Sequence, residues 1–93
     1  MKNANKINLY NFYEIFNDFN RVRILINLKD KEKSIADISL ETGLNKTIVF
    51  SQLQFLILNN AIIENKNKKT TLYKIKNKNM IKIINDIVKY IEK

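Results

Sequence analysis

The sequence predicts a small, mainly α-helical domain carrying one β-hairpin, in the order α-α-α-α-β-β-α. Three observations predict it. Apolar residues recur at three- and four-residue spacing through most of the chain. Glycine occurs once and proline never, which disfavours a loop-rich fold. One stretch, 61–76, places strand-like residues around a polar centre, with helical patterns on either side. The 93 residues make room for a single domain, 1–93, and 45% hydrophobic content suits a globular chain. A domain this short buries a modest share of its surface, so a second copy would add useful core.

The first helix is expected over 7–17. Leu9, Phe12, Tyr13 and Phe16 form a helical stripe, which Ile7, Tyr10, Ile15 and Phe19 widen. A helix apolar on more than one face usually has more than one partner. Asn20 is the expected N-cap of a second helix running from Arg21 to about Lys29, with Val22, Leu25 and Leu28 inward. The run Lys29-Asp30-Lys31-Glu32-Lys33 reads as a solvated connection.

Ser34 opens the third helix, and Asp37 three residues on completes a variant capping box. Ile35, Ile38 and Leu40 are expected to point inward. Gly43, the lone glycine, falls where a helix stops in the left-handed conformation. Asn45 then caps a fourth helix whose buried stripe is Val49, Leu53 and Leu56. Two helices joined by a tight glycine turn over 34–59 form a helix-turn-helix pattern. Ala61 to Ile63 and Thr70 to Lys76 read as strands around Asn65-Lys66-Asn67-Lys68-Lys69. A lysine-tipped hairpin over 61–76, placed directly after a helix-turn-helix, is a wing. The last helix, 79–92, carries Met80, Ile84, Ile87 and Ile91 on one stripe, flanked by Ile81, Ile83 and Val88.

Composition excludes several kinds of chemistry. Cysteine and histidine are both absent, which removes disulfides, thiolate metal sites and nucleophile–histidine pairs. No glycine-rich phosphate loop is present, and no pair of Asp, Glu, Ser, Tyr or Lys stands out as a catalytic set. An enzyme is therefore not expected, and no cofactor or metal is. No apolar run approaches a membrane span, and 1–6 is polar with no signal-type stretch behind it, so a cytoplasmic protein without membrane contact is expected. Abundant Asn, Lys and Ile fit an AT-rich genome.

Net charge is +8 and unevenly distributed. Residues 1–44 hold seven basic and six acidic groups, whereas 45–93 hold ten and three. Such an asymmetry suits a polyanionic partner.

The ordered set of segments resembles the ArsR-type winged helix-turn-helix repressors. Asp18-Phe19-Asn20-Arg21-Val22-Arg23-Ile24-Leu25 is similar to the family's D-P-T-R-L-R-I-L opening of the second helix. Ser34 to Leu44 followed by Asn45-Lys46-Thr47-Ile48-Val49 resembles its L-A…L-G-L-S-Q-S-T-V segment. Leu53-Gln54-Phe55-Leu56 matches L-K-L-L, Asn60-Ala61-Ile62-Ile63 stands in for A-G-L-V, and Tyr73-Lys74-Ile75 matches Y-R-L at the end of the wing. The likeness runs from about Asp18 to Ile75.

The chain departs from the family pattern at four places. Ser34 and Ala36 stand where the family's metal sensors carry a Cys-x-Cys pair. The last helix has no histidine, and Asp86 and Glu92 read as surface charges. The wing lacks its usual glycine, with Asn67 available for a left-handed position. Phe50, Ile57 and Leu58 replace residues that are usually polar.

The resemblance implies a homodimeric repressor whose fourth helix, 46–59, enters the major groove of double-stranded DNA at a palindromic operator. Lys46, Thr47, Phe50, Ser51 and Gln54 would face the bases and phosphates, and Lys66, Lys68 and Lys69 the phosphates or minor groove. Phe50 either touches a thymine methyl or packs beneath the wing or against the third helix. Arg21 and Arg23 either approach DNA or pair with Asp18 or Glu14. Leu9, Phe12, Tyr13, Phe16, Ile84, Ile87, Val88 and Ile91 would form the dimer interface. Two rival readings remain: a winged-helix module that binds protein, suggested by Phe50, Ile57 and Leu58, and an RNA-binding domain using the same basic surface.

Overall fold

A computed structural model describes residues 2–67, 69–76 and 78–92, with side chains from Leu9 onward. It contains five helices and one antiparallel hairpin: α1 (Lys2–Phe16), α2 (Phe19–Leu28), α3 (Ile35–Thr42), α4 (Lys46–Leu58), β1 (Ile62–Lys66), β2 (Thr71–Ile75) and α5 (Lys78–Ile91). This is the winged helix-turn-helix order that the sequence predicts.

Local chemistry sets most of the boundaries. Asp18, not Asn20, caps α2: its carboxylate accepts the Arg21 N–H at 3.0 Å. Both residue types cap well. Asp18 gains further because the Arg21 guanidinium returns to within 4.0 Å of it. The predicted capping box at α3 is complete, with Asp37 N–H donating to Ser34 Oγ at 3.1 Å and Ser34 N–H to Asp37 Oδ2 at 3.4 Å.

Gly43 ends α3 at φ +80°, and its N–H donates to the Ser39 carbonyl. Two hydroxyls lock the turn that follows. Thr42, buried, donates to the Ile38 carbonyl at 2.7 Å and accepts the Leu44 N–H at 3.2 Å. Ser39 donates to the Leu44 carbonyl at 2.6 Å. Asn45 then caps α4 by accepting the Ile48 N–H at 2.9 Å. Leu40 does not point inward; it is 83% exposed. It lies two residues past buried Ile38, about 200° around the helix at 3.6 residues per turn.

The first strand of the hairpin is longer, and the second shorter, than the sequence suggests. Ile62 pairs with Ile75 and Lys66 with Thr71, so Asn65 and Lys66 belong to β1 and not to the turn. Asn67 shapes the turn through its side chain, whose carbonyl accepts the N–H groups of Lys69 and Thr70. Among the described residues, the non-glycine residue with positive φ is Asn60, at φ 61° between α4 and β1, and not Asn67. Lys33 forms an isolated antiparallel bridge to β2: it exchanges backbone hydrogen bonds with Tyr73 at 3.0 and 2.8 Å. The charged connection is therefore partly ordered against the wing.

The core joins Ile15 of α1, Ile24, Leu25 and Leu28 of α2, Ile38 of α3, the Val49-Leu53-Leu56 stripe of α4, hairpin residues Ile62, Tyr73 and Ile75, and Ile84 of α5. Every element contributes, so the outward face of α4 is held by packing on its opposite side.

Candidate nucleic-acid interface

The buried stripe of α4 fixes which of its side chains face outward. Lys46, Thr47, Phe50 and Ser51 are exposed, and Gln54 is half-buried. Phe50 keeps 50% of its surface open, so it is not sealed beneath the wing. The Ser51 hydroxyl donates to the Ile48 carbonyl at 3.1 Å, which leaves its lone pairs facing outward. Ile57 packs on the core, whereas Leu58 is exposed.

Arg21 braces this helix from behind, and Arg23 holds the end of α3 that precedes it. Arg21 Nε donates to Gln52 Oε1 at 2.9 Å, another guanidinium nitrogen donates to the Glu14 carbonyl, and the group lies 3.8 Å over the Phe55 ring. Arg23 donates to the Thr42 carbonyl at the end of α3 and lies 5.6 Å over Phe19. Of the two roles open to these residues in the sequence, the structure shows the architectural one. The partners Gln52, Phe55 and Thr42 are distant in sequence and carried no local signal.

The wing tip presents cations. Lys66 and Lys69 are exposed, and Lys66 lies 3.6 Å from Glu64, a solvent-screened pair. Lys68 lies outside the described residues. A cleft of about 390 Å³ runs between the wing and the start of α3, lined by Ser34, Ile35, Ala36, Lys69, Thr70, Thr71 and Tyr73. A second cleft, about 310 Å³, gathers Lys29, Lys31, Lys74, Lys76 and Lys78 beside Asp30 and Glu32. Single-residue reading missed this lysine cluster, because its members come from two stretches far apart in sequence, 29–31 and 74–78.

Two titrations respond to the packing. Hydrogen bonds from Lys33 and then Asn27 hold the Glu41 carboxyl below the usual glutamate range. Burial, and then the nearby Glu64 charge, push the Tyr73 phenol up. Among the described residues, no group of three or more acidic side chains is placed to hold a metal ion, and no helix is long and apolar enough to cross a membrane.

The residues expected at a dimer interface separate into two sets. Leu9, Phe12, Tyr13 and Ile91 are exposed, and Phe16, Ile87 and Val88 are half-buried. Ile84 does not belong with them: it is 1% exposed and fills the chain's own core. The α5 stripe has to close its own domain before it can face anything else. Tyr10 and Tyr90, absent from the expected interface set, are exposed as well, Tyr90 at 78%.

No family model matches the sequence, and no curated protein matches it. Solved structures do resemble it. The chain is similar to the homodimeric winged helix-turn-helix DNA-binding domain Mb0332 of Mycobacterium bovis, described as a possible ArsR-family transcriptional regulator, with TM-score 0.84 at 19% identity over 98% of this chain and 84% of that one. The transcriptional repressor BigR of Xylella fastidiosa aligns with TM-score 0.83 at 18% identity, over 96% and 89% of the two chains. The transcriptional regulator HlyU of Vibrio vulnificus gives 0.83 at 17% identity, over 95% and 92%. Likeness at this identity shows the fold, and the fold is shared nearly end to end.

Proposed function

We propose that this chain is a homodimeric, sequence-specific double-stranded DNA-binding transcriptional regulator that acts as a repressor. One observation carries the reading. The outer face of α4, from Lys46 to Gln54, is open beside a lysine-tipped wing, in a fold shared with transcriptional regulators. In this reading α4 enters the major groove, and Lys66, Lys68 and Lys69 contact phosphates or the minor groove. The exposed residues of α1 and the end of α5 meet a second copy, so that two copies of α4 read a palindrome. The structural neighbours are described as transcriptional regulators, and although Phe50 and Leu58 are exposed, as a protein-binding module would have them, the exposed lysines of the wing favour a polyanionic partner.

Titrating labelled duplex DNA at rising salt tests this. Binding whose log affinity falls linearly with log salt, and which exceeds that for duplex RNA, is the expected result. Absence of binding to any duplex at low salt, or preference for RNA, overturns it.

A further inference from the structure

We propose that the half-site read by α4 is built from A·T pairs, with a thymine methyl against Phe50 and an adenine edge bonded by Gln54. The proposal rests on the DNA-binding reading above and names the base composition that it leaves open.

Guanine is read in the major groove principally by arginine, whose fork bonds O6 and N7 together. This chain has two arginines, Arg21 and Arg23. Both are engaged inside the fold. Arg21 joins Gln52, the Glu14 carbonyl and the Phe55 ring, and Arg23 joins the Thr42 carbonyl and Phe19. Sending either into a groove would dismantle contacts that seat α3 and α4 on α2. Lysine is then the remaining cation, and α4 carries one, Lys46, on its first turn. A lysine can also bond guanine O6 and N7, through a flexible stem and not a planar fork, so Lys46 allows for at most one guanine near the start of α4.

The rest of the outward face is uncharged, and its chemistry suits the other base pair. Phe50 offers a half-exposed aromatic ring. The apolar feature of the major groove is the thymine methyl, and burying it against a ring is favourable. Gln54, one turn further along α4, carries the amide that pairs in two bonds with adenine N6 and N7. The wing agrees with both. Lys66 and Lys69 are exposed lysines, and the narrow minor groove of A-tracts concentrates the negative potential that attracts them. Three side-chain sets thus favour one base class, against Lys46 alone on the outward face of α4 for the other, both arginines being held inside the fold.

Selection of bound sequences from random duplexes of balanced composition provides the first test, free of any genomic bias. Half-sites rich in A·T are expected. Each selected thymine is then replaced by uracil, which pairs identically but lacks the methyl. At one position this should weaken wild-type binding about fourfold, the loss expected for one buried methyl, and leave Phe50→Ala unaffected. Gln54→Arg should admit guanine at the base that Gln54 reads. Half-sites dominated by G·C, or wild-type binding indifferent to uracil at every thymine, overturn the proposal while DNA binding stands. Failure to retain any duplex overturns both. The selection and uracil arms use the wild-type protein alone, so neither depends on a variant folding.

Discussion

Arg21 and Lys69 carry the same charge, and their removal should fail in different assays. The Arg21 side chain is 14% exposed and holds two hydrogen bonds and a ring contact that tie α2 to α1 and α4. Its loss leaves the Gln52 carbonyl oxygen and the Glu14 carbonyl short of a donor. Arg21→Ala is therefore expected to cost about 2 kcal/mol, seen in a thermal melt as a fall in Tm of roughly 10 °C. Lys69 is exposed, and its backbone N–H, held by Asn67, survives truncation of the side chain. Lys69→Ala should leave Tm unchanged and lower the slope of log affinity against log salt by about one, the signature of one lost phosphate contact. Only the second outcome belongs to a DNA contact, so the pair of measurements separates scaffold from interface. The sequence allowed Arg21 a charged partner in Asp18 or Glu14; Asp18 is one, whereas Glu14 contributes its backbone carbonyl and not its carboxylate. It did not reveal Gln52 or Phe55, because contacts between elements leave no mark on local periodicity.

Elements with a local chemical signal were legible; those depending on distant pairing were not. Ser34 with Asp37, Gly43 and Asn45 each announce a helix end within a few residues, and all three ends lie where the sequence places them. Gly43 allows a direct check. A Cβ built there meets nothing within 4 Å, so any cost of Gly43→Ala is conformational and comes from φ +80°. About 1 kcal/mol of destabilisation is expected from chemical denaturation. The Lys33–Tyr73 bridge was invisible because its two residues, forty apart in sequence, meet only when the wing packs beside α3. The same meeting brings Lys33 Nζ to 2.7 Å from Glu41, anchoring α3 through its last turn. Glu41 is depressed by the Lys33 and then the Asn27 hydrogen bonds. Its stabilising contribution is therefore present above the ordinary carboxylate pKa of 4.5 and fades as pH falls through the lowered folded value. Glu41→Gln should flatten the acid limb of the stability–pH curve and leave the neutral region little changed. An acid limb identical to wild type would show that the Lys33 contact contributes nothing to folding.

At the scale of the whole molecule, the question is what covers the apolar residues that the single chain leaves open. Leu9 is 70% exposed and Tyr13 59%, on the helix that opens the fold, and Tyr90 and Ile91 are exposed where α5 ends. Their own core is already closed by Ile15 and Ile84, so these side chains add nothing to the isolated domain. A small domain gains from burying them against a second copy. The wild-type protein is therefore expected to sediment as a dimer at micromolar concentration, with a Tm that rises with protein concentration. Tyr13→Glu introduces a charge on this face without touching the core. It should yield a folded monomer whose Tm no longer depends on concentration. The two forms should then differ on DNA in a diagnostic way. If α4 and the wing read DNA as proposed, affinity for an isolated half-site should be unchanged, because the substitution leaves both intact. Affinity for two half-sites spaced one helical turn apart benefits from linkage of the two readers, which is worth about 100-fold or more when geometry allows both to engage. Tyr13→Glu should lose that factor and nothing else. If the variant bound the palindrome as tightly as wild type, the exposed face of α1 would have another occupant, and each copy of α4 would read DNA alone.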